Sequence, residues 1–261
     1  MRKCRYWLAI CAAAATVASL PAAQAQCMRQ SPAHSVALME LYTSEGCDSC
    51  PRADRWLSGI GPTHSPHSIV PLALHVDYWD RLGWKDRFAD ARFSERQSEL
   101  ARLAKGRVIY TPGVFMNLRE FRVWDSSGQF DKAVKEANAR PARAAIKLAL
   151  ASPGAGRVML EARFALVPGV AAARPEAYVV LYENGLQTEV KAGENRGATL
   201  RHDHVVRLWM GPIALNRGMA EYTRLLDISP EWKRANLGVA AFVQDSAGPD
   251  VLQATALRFC S

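Results

Sequence analysis

Beyond residue 25 the chain has no apolar run of the roughly 20 residues a membrane-crossing helix needs, so no membrane span is expected there. It also lacks any run of Lys and Arg interleaved with aromatic residues. A formal charge of +8 is therefore read as solvated surface, with no nucleic-acid partner expected. Cysteine is scarce, at six residues, too few for a miniprotein held by disulfides. There is no second CxxC and no HxxxH pair, so the ligand spacing of a structural zinc site is missing. What is present in quantity is apolar side chain, 49% against 22% charged, ample for a large core and incompatible with disorder or a fibre.

Arg2, Lys3 and Arg5 precede an apolar run from Tyr6 to Ala18, and Ala23-Gln24-Ala25 follows. These are the three parts of a secretory signal peptide, residues 1–25, cleaved after Ala25. The expected location is periplasmic or secreted. The remainder holds 30 Lys and Arg against 25 Asp and Glu, and four cysteines: Cys27, Cys47, Cys50 and Cys260.

The first half alternates strand and helix patterns. Val36 to Tyr42 reads as a buried strand, Cys50 to Ile60 as a helix stopped by Gly59 and Gly61-Pro62, and Ile69 to Val76 as a second strand. Phe93 to Ala104 reads as a helix, Val114 to Leu118 and Phe121 to Trp124 as strands either side of Arg119-Glu120, and Phe130 to Ala139 as a closing helix. A β-α alternation with Cys47-Asp48-Ser49-Cys50 at its first strand-to-helix junction predicts an α/β, thioredoxin-like N-terminal domain over residues 26–141.

The placement favours chemistry. Unpaired N–H groups and the macrodipole at a helix start stabilise an anion, making Cys47 the attacking thiolate. Cys50, one turn on, then resolves the mixed disulfide, and the pair closes as Cys47–Cys50. Tyr110-Thr111-Pro112-Gly113 precedes a predicted strand, and a cis Pro112 there would let Thr111 offer its backbone to a bound polypeptide. Tyr78 and Trp79, after the second strand, are candidates to line the same groove; capping the core is the alternative. Two soft thiolates with His75 or His34 could instead hold Cu(I) in a copper carrier, and a structural pair in a redox-inert interaction module is a third reading.

After Pro141 the helical periodicity fades. Ala144–Leu150, Val158–Leu166, Ala177–Glu183, His204–Met210, Gly238–Asp245 and Val251–Phe259 read as strands, predicting a β-rich antiparallel sheet or sandwich domain over residues 142–261. Met219–Leu226 fits either helix or strand. His202 and His204 flank Asp203 and read as surface polar residues ahead of a strand. Cys27 and Cys260, at the two ends of the exported chain, form a terminal disulfide in an oxidising compartment or leave Cys27 as a free thiol; the disulfide is preferred.

Glu40-Leu41-Tyr42-Thr43-Ser44-Glu45-Gly46-Cys47-Asp48-Ser49-Cys50-Pro51, His75-Val76-Asp77-Tyr78-Trp79-Asp80 and Tyr110-Thr111-Pro112 resemble a secreted bacterial family, domain of unknown function family 1223. So do Gly193-Glu194-Asn195-Arg196-Gly197 and His202-Asp203-His204-Val205-Val206-Arg207. The resemblance implies a thioredoxin-like fold and an exported protein, and assigns no activity. Gly46 and Asp48-Ser49 stand where thioredoxins carry tryptophan and Gly-Pro. The expected function is a thiol-disulfide oxidoreductase acting through Cys47 and Cys50 on protein thiols and disulfides, with a possible redox partner protein, no metal and no cofactor.

Overall fold

The computed structural model describes residues 26–260 apart from 105, 107 and 155; the expected signal peptide lies outside the described residues. Strand β1 is Gln26–Gln30 and β2 is Ala37–Thr43. All seven β2 side chains are buried. Leu38 and Tyr42 face one core, Ala37, Met39 and Leu41 another, the period-two alternation of a strand covered on both faces. Helix α1, Cys50–Thr63, runs through Gly59 and Gly61-Pro62, where the sequence predicts a stop. Pro62 falls in its last turn, and the Thr63 hydroxyl donates to the Gly59 carbonyl at 2.8 Å.

Strand β3 is Ile69–His75, α2 is Ala91–Leu103, β4 is Gly113–Met116, β5 is Arg119–Glu120 and α3 is Ser127–Asn138. The β4–β5 hairpin is displaced from its predicted position. Asn117 and Leu118 turn it, both at positive φ (49° and 64°), so Arg119–Glu120 is strand and Phe121–Trp124 is not. Two positive φ values suit a two-residue hairpin turn. The Asn117 side chain accepts the Leu38 N–H at 2.8 Å and Leu118 is buried, which ties the turn to the core. Helix α2 is fastened to β2 by a buried ion pair, Arg96 to Glu40 at 2.7 Å, with the guanidinium over the Tyr178, Trp209 and Phe242 rings.

The second half supplies β6 (Ala144–Gly154), β7 (Arg157–Leu166), β8 (Pro175–Glu183), β9 (Leu186–Glu189), β10 (Thr199–His202), β11 (Val205–Ala214), β12 (Met219–Asp227), β13 (Leu237–Asp245) and β14 (Asp250–Arg258). The undecided segment at Met219 is thus strand. A four-stranded antiparallel sheet, β1-β6-β7-β12, packs against an eight-stranded mixed sheet, β14-β13-β8-β11-β3-β2-β4-β5; β9 and β10 form a separate hairpin. Leu148, Leu160 and Phe164 of the smaller sheet meet Val179, Leu181 and Val239 of the larger.

The expected arrangement, an α/β thioredoxin-like N-terminal domain followed by a β-rich one, is corrected by this topology. Among the described residues the protein is mostly β-sheet, 44% strand and 20% helix with three α-helices. Strands β2, β3, β4 and β5 do not form a sheet of their own: β3 lies parallel to β11, with Val205 opposite Ala73 and the Ala73 N–H donating to the His204 carbonyl at 2.8 Å. The physical cause is β3 itself. Six of its seven side chains are buried, and so apolar a strand does not serve as a sheet edge. Among the described residues no helix is long and apolar enough to cross a membrane.

Candidate functional site

The apolar β2 run ends at Thr43 and the chain turns tightly before α1. Ser44 accepts the Gly46 N–H through its hydroxyl (3.1 Å) and the Cys47 N–H through its carbonyl (3.2 Å). Cys47 and Cys50 are joined, with Cα atoms 5.4 Å apart, and Ser49 Oγ lies 3.4 Å from Cys47 Sγ. Cys50 is the first residue of α1, with Pro51 beside it in the first turn, where a missing N–H costs nothing. Both cysteines are 0% exposed.

Trp79 spans from this turn to the proline loop. A side chain at Gly46 would begin 3.3 Å from Trp79 Cβ, and the indole N–H donates to Thr111 Oγ1 at 2.7 Å. The Thr111–Pro112 peptide is cis. Tyr78 takes a different position: its hydroxyl donates to Gln97 Oε1 at 3.1 Å, and Gln97 in turn donates to the Tyr110 carbonyl at 2.7 Å. Burial pushes the Tyr78 phenol up to about 12. Val108, Ile109 and Tyr110, leading into Pro112, are exposed at 71%, 44% and 40%.

A cover comes from the other half of the chain. Asn195 donates through its side-chain amide to the carbonyls of Glu45 (2.9 Å) and Cys47 (2.8 Å), and Glu194 Oε2 accepts the Asp48 N–H at 3.2 Å. Gly193, at φ +73°, lets this segment lie against Trp84: a Cβ there would sit 3.1 Å from that of Trp84. The Gly-flanked string 193–197 is visible in the sequence; its position over Cys47 is not.

Behind the disulfide is a buried polar cluster that sequence reading missed. Glu45, Asp54, His75, Asp86 and His202 are each no more than 5% exposed. His75 Nδ1 and Asp86 Oδ2 are 2.7 Å apart, and Asp86 also accepts the N–H groups of Glu45 (2.8 Å) and Phe88 (2.9 Å). Trp84 donates its indole N–H to Glu45 Oε2 at 2.9 Å. His202 stands between two carboxylates, Nε2 at 3.3 Å from Glu45 and Nδ1 at 3.7 Å from Asp54, so the reading of His202 as a surface residue is overturned. Burial holds the Asp54 carboxyl above its ordinary range although both imidazoles pull it down. For His75, burial opposes the charge, but Asp86 outweighs it and the imidazole is raised; Asp86 is correspondingly lowered against its own burial. The alternation of β10, with Leu200 and His202 buried and Thr199 and Arg201 exposed, was the available sequence signal.

The remaining residues singled out by sequence lie elsewhere. Cys27 and Cys260 are joined, Cα atoms 5.9 Å apart, fixing the end of β14 to β1. His34 Nε2 donates to the His67 carbonyl at 2.9 Å. His204, at φ +58°, is pushed down to about 4 by burial. Among the described residues no three His, Cys, Asp or Glu side chains converge as metal ligands would.

No curated protein matches the chain. Among solved structures, a crystal structure of an Agrobacterium tumefaciens protein is similar, with 25% identity and a TM-score of 0.59, covering 85% of this chain and 94% of that one. HBP35 of Porphyromonas gingivalis is similar in fold, at 14% identity and a TM-score of 0.64, covering 88% of this chain and 76% of that one. The profile of the family described as Protein of unknown function (DUF1223) matches residues 38–244, from β2 to β13 and through every part of the site, and the chain belongs to that family.

Proposed function

We propose that this protein is a thiol-disulfide oxidoreductase, periplasmic or secreted, whose Cys47–Cys50 pair exchanges electrons with protein thiols and disulfides without an organic cofactor. The observation that carries this reading is the joined pair at a strand-to-helix turn, with Trp79 packed between it and the Thr111–Pro112 loop. Exposed Val108, Ile109 and Tyr110 support it, since they offer an apolar approach for a polypeptide. Thr111 and Pro112 hold the substrate chain, Trp79 walls the groove, and Tyr78 braces the loop through Gln97. In this reading residues 26–141 form the reacting unit and residues 142–261 the unit that covers it.

The reaction is thiol-disulfide exchange. A substrate thiolate attacks Cys47 Sγ, the Cys47–Cys50 bond breaks, and its electron pair leaves on Cys50. A second substrate thiol then displaces Cys47, so the substrate is oxidised and the protein reduced; in the other direction the reduced Cys47 attacks a substrate disulfide and Cys50 resolves it. Both cysteines are buried, so either direction requires a neighbouring segment to move, and Glu194–Asn195, hydrogen-bonded to the turn backbone, is the segment proposed to lift. The test is Cys50→Ser expressed in cells, which should accumulate Cys47 mixed disulfides that mass spectrometry can identify. A folded variant that captures nothing, together with a wild-type pair that does not equilibrate with glutathione, would remove the proposal.

A further inference from the structure

Nine buried side-chain polar atoms lack a hydrogen-bond partner among the described residues, and seven of them fall in one place: Thr43 Oγ1, Glu45 Oε1, both Asp54 oxygens, His75 Nε2 and both His202 nitrogens. Native proteins leave few such atoms, because each forfeits the hydrogen bonds it would make to water. A concentration behind a disulfide calls for a reason in chemistry. The arrangement is not a metal cage, because the two nitrogens of His202 are directed at different carboxylates. It is a row of acid-base groups: Asp86, His75, Asp54, His202, Glu45.

Its charge is unbalanced. Three carboxylates face two imidazoles, and among the described residues no Lys or Arg pairs with any of the five. Of the nearby guanidiniums, Arg87 and Arg207 stack on the Phe88 ring, Arg87 donating to the Gln187 carbonyl and Arg207 lying 3.4 Å from Glu183. Asp80, the remaining neighbouring acid, accepts the Asp86 N–H. Even with both imidazoles protonated, one negative charge is in excess, and uncompensated buried charge is expensive enough that a group neutralises instead. Asp54 is the carboxyl with neither oxygen in hydrogen-bond geometry, its nearest basic group being His202 Nδ1 at 3.7 Å, so the retained proton is assigned there. Asp54 sits one turn after Cys50 on the buried face of α1, where residues four apart lie about 5 to 6 Å from each other at Cβ. Helical side chains lean toward the N-terminus, which carries the carboxyl toward Cys50.

We infer that Asp54, backed by His202 and Glu45, is a proton-exchange site for the Cys47–Cys50 pair, and that β10 of the second half completes it. The inference rests on the redox reading above. When a substrate thiolate attacks Cys47 and the disulfide bond breaks, Cys50 leaves as a thiolate and takes the Asp54 proton. Asp54 becomes a carboxylate facing the His202 ring. On closure the carboxylate removes the proton from Cys50, whose thiolate attacks the mixed disulfide and releases the substrate thiolate.

The test is reduction of the full-length protein by dithiothreitol across pH 6 to 9, each rate constant divided by the thiolate fraction of the reagent. Wild type should show a normalised constant that falls at least ten-fold as pH rises. Asp54→Asn and His202→Gln should be slower than wild type at pH 6, by about ten-fold, and nearly flat with pH. Variants that fold and retain the wild-type profile overturn the inference. A wild-type disulfide that never opens overturns the redox reading instead. Should the variants fail to fold, carboxyl-carbon NMR of Asp54 in the unaltered oxidised and reduced protein decides: titration at different pH in the two states supports the site, and identical titration refutes it.

Discussion

His75 and Asp86 show how two residues set a pH response for the whole molecule. His75 titrates above its unfolded value of about 6.5, so its stabilisation is complete below that value and is lost as pH rises through the folded pKa. Asp86 titrates below its unfolded value of about 3.9, so its stabilisation is present above that value and is lost as pH falls through the folded pKa. The raised Asp54 carboxyl has the same sign as His75 and adds to the alkaline loss. Thermal unfolding should therefore give a maximum in the weakly acidic range with a decline on the alkaline side. Asp86→Asn should flatten both arms and destabilise at pH 6 by about 3 to 5 kcal/mol, the usual cost of removing one partner of a buried pair. A variant as stable as wild type, with an unchanged pH profile, would show that the pair carries no such weight.

Among the elements, the segment between β9 and β10 is the one hydrogen-bonded to the cysteine turn, and in the proposed reaction it must lift. Asn195 holds the Glu45 and Cys47 carbonyls with two hydrogen bonds, each worth about 1 kcal/mol net. Asn195→Ala should speed reduction of Cys47–Cys50 about ten-fold and lower the unfolding free energy by about 2 kcal/mol; an unchanged rate would mean that opening occurs elsewhere. This scale also marks what the sequence could show. Cys47, Cys50 and Pro51 are legible because a motif, a turn and a helix start are local, and β2, β3 and β13 because apolar runs of that length need cover on both faces. For His202 only the short alternation of β10 hints at burial, and its partners Glu45 and Asp54 are illegible because they lie in the other half of the chain. The β4–β5 turn misleads because Leu118, a residue seldom found at positive φ, occupies it.

At the scale of the molecule, the joined ends and the shared sheet act together. Cys27 and Cys260 close a loop with a sequence separation of 233 residues, and removing a native disulfide typically costs about 2 to 5 kcal/mol. Cys27→Ala with Cys260→Ala should lower the unfolding free energy by that amount and leave the glutathione equilibrium of Cys47–Cys50 unchanged. A redox equilibrium that moved with the terminal pair would instead couple the two disulfides.

The parallel seam between β3 and β11 bears on synthesis and export. During translation β2, β3, β4 and β5 emerge first, yet the flank of β3 is filled by a strand made much later, and Val36 takes its acceptor from Gln253 on β14. Long-range pairings of this kind are paid for in loop-closure entropy before they return anything, and such chains fold slowly. A nascent chain that stays open is one a translocation channel can thread. For the exported oxidoreductase proposed above, the cysteine pair would reach the far side of the membrane before His202 of β10 closes its acid-base cluster, and would not begin work in the compartment where it is made.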